Sequence, residues 1–91
     1  MVILYVDPDM IERGRAYRAL ISAGYVHEQL HGAMDLENAS STMSLVNIDL
    51  VLCRNPAIAA DQLFTNKTTS VVTSWDTASV QRAIAQASMQ T

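Results

Sequence analysis

Two short apolar runs, each followed by a charged residue, constrain the fold of this 91-residue chain more than any other feature. Residues 2–6 precede Asp7, and residues 48–53 precede Arg54. Apolar runs of this length, bounded by turns and separated by helical patterns, are typical of parallel strands that helices cover on both faces. Ligands in such sheets bind at the carboxyl ends of the strands. We therefore expect Asp7 and Arg54 to share one crevice.

Helical patterns alternate with these strands along the chain. The first predicted helix covers residues 10–23, with Asp9 as its N-cap and Gly24 as its C-terminal stop. Its predicted inward positions are Ile11, Gly14, Tyr17, Leu20 and Ile21. Further helices are predicted at residues 33–45, at 57–64, and from a cap at Asp76 or Thr77 through 89. Further strands are predicted at 25–30, as a sheet edge, and at 70–74, after a loop at 66–69. This alternation predicts one three-layer α/β domain over residues 1–91, with a parallel sheet between helices.

Composition excludes several classes of protein. Nine acidic and six basic residues give a net charge of -3, which does not indicate a nucleic-acid-binding surface. Cys53 is the single cysteine, so the chain has no internal disulfide framework. No segment approaches the ~20 apolar residues of a membrane helix, and the first residues do not form a signal sequence. We expect a cytoplasmic protein without a membrane partner.

Four sequence segments together resemble the receiver domain of bacterial response regulators, over nearly the full length of the chain. These segments are Ile3-Leu4-Tyr5-Val6-Asp7, Ala23-Gly24-Tyr25, Asp49-Leu50-Val51-Leu52 and Val71-Val72-Thr73-Ser74. The resemblance implies a flavodoxin-like (CheY-like) parallel sheet with the strand order 2-1-3-4. The fifth strand and the last helix of that family would be missing from this chain.

The residues that carry the family's chemistry differ here. Receivers transfer a phosphoryl group to an aspartate after the third strand, with Mg²⁺ held partly by an acidic pair after the first strand. Asp7 matches the first acid of that pair, Pro8 replaces the second, and Arg54 replaces the phosphoacceptor. Thr73 matches the hydroxyl on the fourth strand that reads the phosphate, and Asp9 is either a further pocket acid or a helix cap. We therefore expect a degenerate pocket of Asp7, Asp9, Arg54 and Thr73.

These replacements predict that the phosphorylation chemistry is lost, with no catalytic residue, metal or cofactor. Arginine stays protonated and offers only hydrogen-bond donors, so it cannot accept a phosphoryl group. Mg²⁺ needs several oxygen ligands in near-octahedral order, and Asp7 alone does not supply them. Three roles stay open for Arg54: a locking ion pair with Asp7, a solvated strand end, or anion binding.

Three other residues have alternatives that the sequence leaves open. Cys53 is either an inert buried thiol or a thiol activated by the neighbouring Arg54. His27 and His31 share a face of the predicted second strand, but the nearby sequence offers no third ligand for a metal.

The function predicted from these observations is a non-enzymatic pseudo-receiver that binds another signalling protein or a second copy of itself. The alternative is a small anion-binding or ligand-binding domain that uses the degenerate pocket. The fourth strand would become a sheet edge with no charge or proline to discourage pairing. We expect a homodimer through this strand and the last helix. The expected contact residues are Val71, Val72, Trp75, Val80 and Ile84. A strand donated by a different protein is the competing possibility.

Overall fold

A four-stranded parallel sheet organises the computed structural model, which describes residues 1–89. The strands are β1 (Ile3–Val6), β2 (Leu30–Ala33), β3 (Leu50–Cys53) and β4 (Thr68–Val71). The helices are α1 (Met10–Ser22), α2 (Leu36–Leu45), α3 (Pro56–Ala59) and α4 (Thr77–Ser88), with 3-10 turns at His27–Gln29 and Gln62–Phe64. The strand order is β2-β1-β3-β4, so the predicted flavodoxin-like fold and its 2-1-3-4 order are confirmed. No helix within residues 1–89 has the length and apolar character needed to cross a membrane.

Both faces of the sheet are buried, which explains why β1 and β3 are apolar at every position. Successive side chains of a strand point to opposite faces. Ile3 and Leu50 pack in one core layer with α1 and α4, and Leu4 and Val51 pack in the other layer with α2. All residues of β1 and β3 are buried.

The second strand lies later in the chain than predicted. Residues 25–26 are irregular, residues 27–29 form a 3-10 helix, and β2 covers Leu30–Ala33. Gly32 fits in this strand because its register partner Tyr5 lays its ring against it. A Cβ at position 32 would lie 2.7 Å from Cε2 of Tyr5. The next helix accordingly begins at Leu36, capped by Asp35, and not at residue 33.

The fourth strand lies earlier than predicted, because its register with β3 decides its position. Thr68 pairs with Leu50, so the segment predicted as loop contains the first half of β4. Beyond β4, the Val72 N–H still donates to the Cys53 carbonyl at 2.9 Å. The predicted third helix is also shorter, because the Asp61 carboxylate caps a separate 3-10 turn.

The ends of α1 match the prediction, but its buried face does not. The Asp9 carboxylate accepts the Ile11 N–H at 2.8 Å, which confirms Asp9 as the N-cap. Gly24 ends the helix with φ 107°, a conformation that favours glycine. The buried residues are Ala16, Ala19 and Leu20. Ile11 is 65% exposed and Ile21 is 40% exposed, so their predicted inward positions are wrong.

Candidate functional site

A paired acid and base lie at the carboxyl edge of the sheet. Asp7 directly follows β1 and Arg54 directly follows β3, and the last residues of these strands, Val6 and Cys53, are register partners. Arg54 Nε donates to Asp7 Oδ2 at 2.6 Å, and Arg54 Nη2 donates to Asp7 Oδ1 at 3.2 Å. This bidentate geometry is the strong form of an arginine–carboxylate pair. The prediction that Asp7 and Arg54 share one crevice is confirmed.

Two further donors complete the environment of the Asp7 carboxylate. Trp75 Nε1 donates to Oδ2 at 2.9 Å, and the backbone N–H of Asp9 donates to Oδ1 at 3.0 Å. Each carboxylate oxygen therefore accepts two hydrogen bonds, and the Asp7 side chain is only 2% exposed. An ionised carboxylate offers about four acceptor sites. Hydrogen-bond donors of the chain itself therefore occupy the acceptor sites of the Asp7 carboxylate.

The protonation states follow from these contacts. Burial by itself raises the pKa of Asp7, but the hydrogen bonds from Arg54, Trp75 and the Asp9 N–H outweigh burial and lower that pKa below its ordinary value. The hydrogen bond to Asp7 raises the pKa of Arg54, although burial opposes this effect. Both groups are therefore charged at neutral pH.

The outer side of Arg54 faces acidic groups. Its side chain is 39% exposed, and Nη1 lies 3.8 Å from Glu12 Oε2. Arg13 Nη1 donates to the Asp7 carbonyl at 2.8 Å. The negative charge of Asp9 also acts on Arg54. A cavity of about 210 Å³ beside the pair is lined by Val6, Asp7, Pro8, Arg54, Asn55 and Ile58. The ion pair and its neighbours thus comprise two arginines, Arg13 and Arg54, and three acids, Asp7, Asp9 and Glu12.

The other two residues of the predicted pocket have different roles. The Asp9 side chain caps α1 through the Ile11 and Glu12 N–H groups, and only its backbone contacts Asp7. The Thr73 hydroxyl lies 3.1 Å from the Ser79 hydroxyl, at the start of α4. Within residues 1–89, no group of three or more metal-ligating side chains is placed to hold an ion.

Trp75 belongs to the site, whereas its sequence context predicts a residue of the interaction surface. Its ring is 5% exposed and meets the Tyr5 ring edge-on, with centroids 6.4 Å apart. Its indole N–H reaches Asp7, 68 positions earlier in the chain. Trp75 directly follows the strand predicted at residues 70–74, and the carboxyl ends of the strands border the crevice, so this position was the available signal.

Most of the predicted contact surface is core. Val72, Trp75 and Val80 are 2%, 5% and 0% exposed, because α4 packs over β4 and α1 and covers them. Ile84 is half-buried against the same cluster. Val71, at 40% exposure, is the one member of the predicted set whose side chain is exposed.

The remaining candidates are the Cys53 thiol and the two histidines. Burial and the negative charge of Asp7 raise the pKa of the Cys53 thiol to about 11, so the inert alternative is supported and activation by Arg54 is not. His27 Nδ1 lies 3.0 Å from the Tyr17 hydroxyl, in the 3-10 turn and not on a strand with His31.

No match to this chain was found among protein-family models, among curated proteins or among solved structures.

Proposed function

We propose that this chain is a non-catalytic interaction module, a pseudo-receiver in bacterial signalling whose phosphate crevice is closed by its own side chains. The single observation that carries this proposal is the Asp7 carboxylate, which accepts hydrogen bonds from Arg54, Trp75 and the Asp9 N–H. The residue after β3, where a receiver has its acceptor, offers only donors here.

The closed crevice argues against metal binding and against transfer of a phosphoryl group. A metal ion could use Asp7 only by displacing Arg54 and Trp75 from a carboxylate that is 2% exposed. Breaking such a pair would leave a buried charge without its partner, which is costly. A phosphoryl group would also find no carboxylate at position 54. What the fold retains is a packed scaffold whose surfaces can contact another protein.

Anion binding is the second candidate, and the 39% exposure of Arg54 is the observation in its favour. Against it, the Nε and Nη2 donors of Arg54 already bind Asp7, and Nη1 faces Glu12. An incoming anion would also meet the negative charges of Asp7, Asp9 and Glu12. Repulsion by these groups makes the interaction module the better supported function.

The test exposes the protein to a small acyl phosphate with Mg²⁺ and follows intact mass and Trp75 fluorescence. We expect neither to change. Arg54→Ala is the control for sensitivity, because removing a neighbour of the Trp75–Asp7 bond should alter the emission. An acyl phosphate formed on Asp7 or Asp9 would refute the proposal. A saturable fluorescence response to inorganic phosphate that Arg54→Ala abolishes would favour anion binding instead.

The cytoplasmic location and the signalling partner are also parts of this proposal. They rest on composition and on the resemblance to receivers, and they stay predictions.

A further inference from the structure

The two edges of the sheet differ in how many of their backbone groups are bonded. At the β2 edge, Ala33 O accepts the Asp7 N–H, so the backbone groups of Ala33 point toward β1. Because the backbone groups of successive strand residues point in opposite directions, those of Leu30, Gly32 and Met34 point away from β1. The chain itself bonds two of these outward N–H groups. Leu30 N–H donates to His27 O, and Met34 N–H donates to Asn38 Oδ1 at 3.2 Å. Gly32 lies between these two bonded positions.

The β4 edge has no such protection. Val72 N–H donates to Cys53 O, so the same alternation directs Thr68 and Ser70 toward β3 and directs Thr69 and Val71 outward. Within residues 1–89, no turn or loop hydrogen bond reaches the backbone of Thr69 or Val71. The Val71 side chain is also 40% exposed. This edge therefore offers a short row of free donors and acceptors.

We propose that the β4 edge pairs antiparallel with β4 of a second copy of this chain. This inference rests on the proposed function and names the partner of the interaction module. A two-fold axis placed at Ser70 sets Thr69 of each copy opposite Val71 of the other. Each outward N–H then meets an outward C=O, as in an isologous interface.

Charge along the edge favours a second copy as the occupant. Residues 68–75 contain no charged side chain and no proline, so two identical edges meet without like-charge repulsion. Lys67 precedes this run. The two-fold axis at Ser70 keeps the two Lys67 side chains at opposite ends of the paired segment, so their charges do not face each other. The edge is therefore complementary to itself.

The pairing uses less of the molecule than the sequence predicted. Val72, Trp75 and Val80 are already buried within one copy, so they cannot supply the contact. The edge backbone of Thr69 and Val71, with the Val71 side chain, forms it instead.

The first test is the mass of the full chain in solution. As the protein concentration increases, the average mass measured by light scattering should rise from the monomer mass of 10.0 kDa toward twice that value. Val71→Lys places a charge at the centre of the paired edge and should raise the dimer dissociation constant at least about tenfold. Leu45→Lys is the matched control, because Leu45 is 85% exposed on α2, and this variant should stay within about twofold of the native chain.

Amide exchange locates the contact. As the concentration rises, exchange at the Thr69 and Val71 N–H groups should slow, whereas exchange at Gly32 should not. A monomer at every concentration overturns the proposal. Rapid exchange at Thr69 and Val71 would then indicate an edge that is open to a different protein. Slow exchange at every concentration would indicate that the chain itself covers the edge. A dimer without slowed exchange at these two amides also overturns it. The mass of a phosphorylated species reports separately on the proposed function, so either idea can fail alone.

Discussion

Replacing Arg54 with alanine should destabilise the fold, because Asp7 would keep a buried charge and lose two of its four hydrogen bonds. Removing one partner of a fully buried ion pair costs about 3–5 kcal/mol. The cost here is smaller, because Arg54 is 39% exposed and water can replace part of its contact. Trp75 and the Asp9 N–H also continue to bind Asp7. We expect the free energy of unfolding to fall by about 1–3 kcal/mol.

The size of this loss should depend on pH. In the native chain the pKa of Asp7 is below its unfolded value of about 4. The ionised carboxylate therefore contributes stability that is fully present above pH ~4 and is lost as the pH falls through the lowered pKa. Without Arg54 the pKa of Asp7 rises, and this contribution shrinks. The difference between the native chain and Arg54→Ala should thus be largest at neutral pH and decrease toward acid.

Urea unfolding at a series of pH values measures both effects. Arg18→Ala is the control, because Arg18 is an exposed arginine on α1, and its effect should stay within about 0.5 kcal/mol. If Arg54→Ala is no less stable than Arg18→Ala, the ion pair does not stabilise the fold. A loss of stability that does not change between neutral and acidic pH would also show that the ion pair is not its cause.

Four further predictions test other parts of the fold. Gly32→Ala should cost about 1–3 kcal/mol because its Cβ would lie 2.7 Å from the Tyr5 ring. Gly14→Ala, with 4.0 Å of clearance on α1, should instead stabilise by about 0.5–1 kcal/mol, and urea unfolding of the two variants compares them. Alkylation of Cys53 followed by mass spectrometry should be absent in the native protein and complete in urea, since the thiol is fully buried; rapid native labelling would contradict its inert state. Asp9→Ala should cost about 0.5–2 kcal/mol by removing the α1 N-cap, and an unchanged unfolding midpoint would contradict that role.

The parts of the fold that could be predicted are those where local pattern and tertiary packing agree. β1 and β3 are continuous apolar runs because both of their faces are buried, so the sequence locates them well. β2 and β4 contain residues such as Gly32 and Ser70 that are not strong strand formers. Their positions are set by pairing with β1 and β3, which a local pattern does not contain.

The candidate site could be predicted in part for the same reason. Asp7 and Arg54 follow the two well-predicted strands, and strand order alone brings them together. The role of Trp75 depends on how the segment after β4 folds back over the sheet, which no local pattern specifies. The burial of Val72 and Val80 likewise depends on α4 packing against α1 and β4. Their apolar character fits a core and an interface equally well.

The central claim, that the chain's own donors occupy the Asp7 carboxylate, can be measured by carbon-detected NMR of that carboxyl group. A pH titration should give Asp7 a pKa below the ordinary value of about 4, and Arg54→Ala should raise it. Addition of Mg²⁺ at neutral pH should leave the carboxyl resonance of the native chain in place. A pKa at or above the ordinary value, or a saturable shift with Mg²⁺, would contradict the closed crevice.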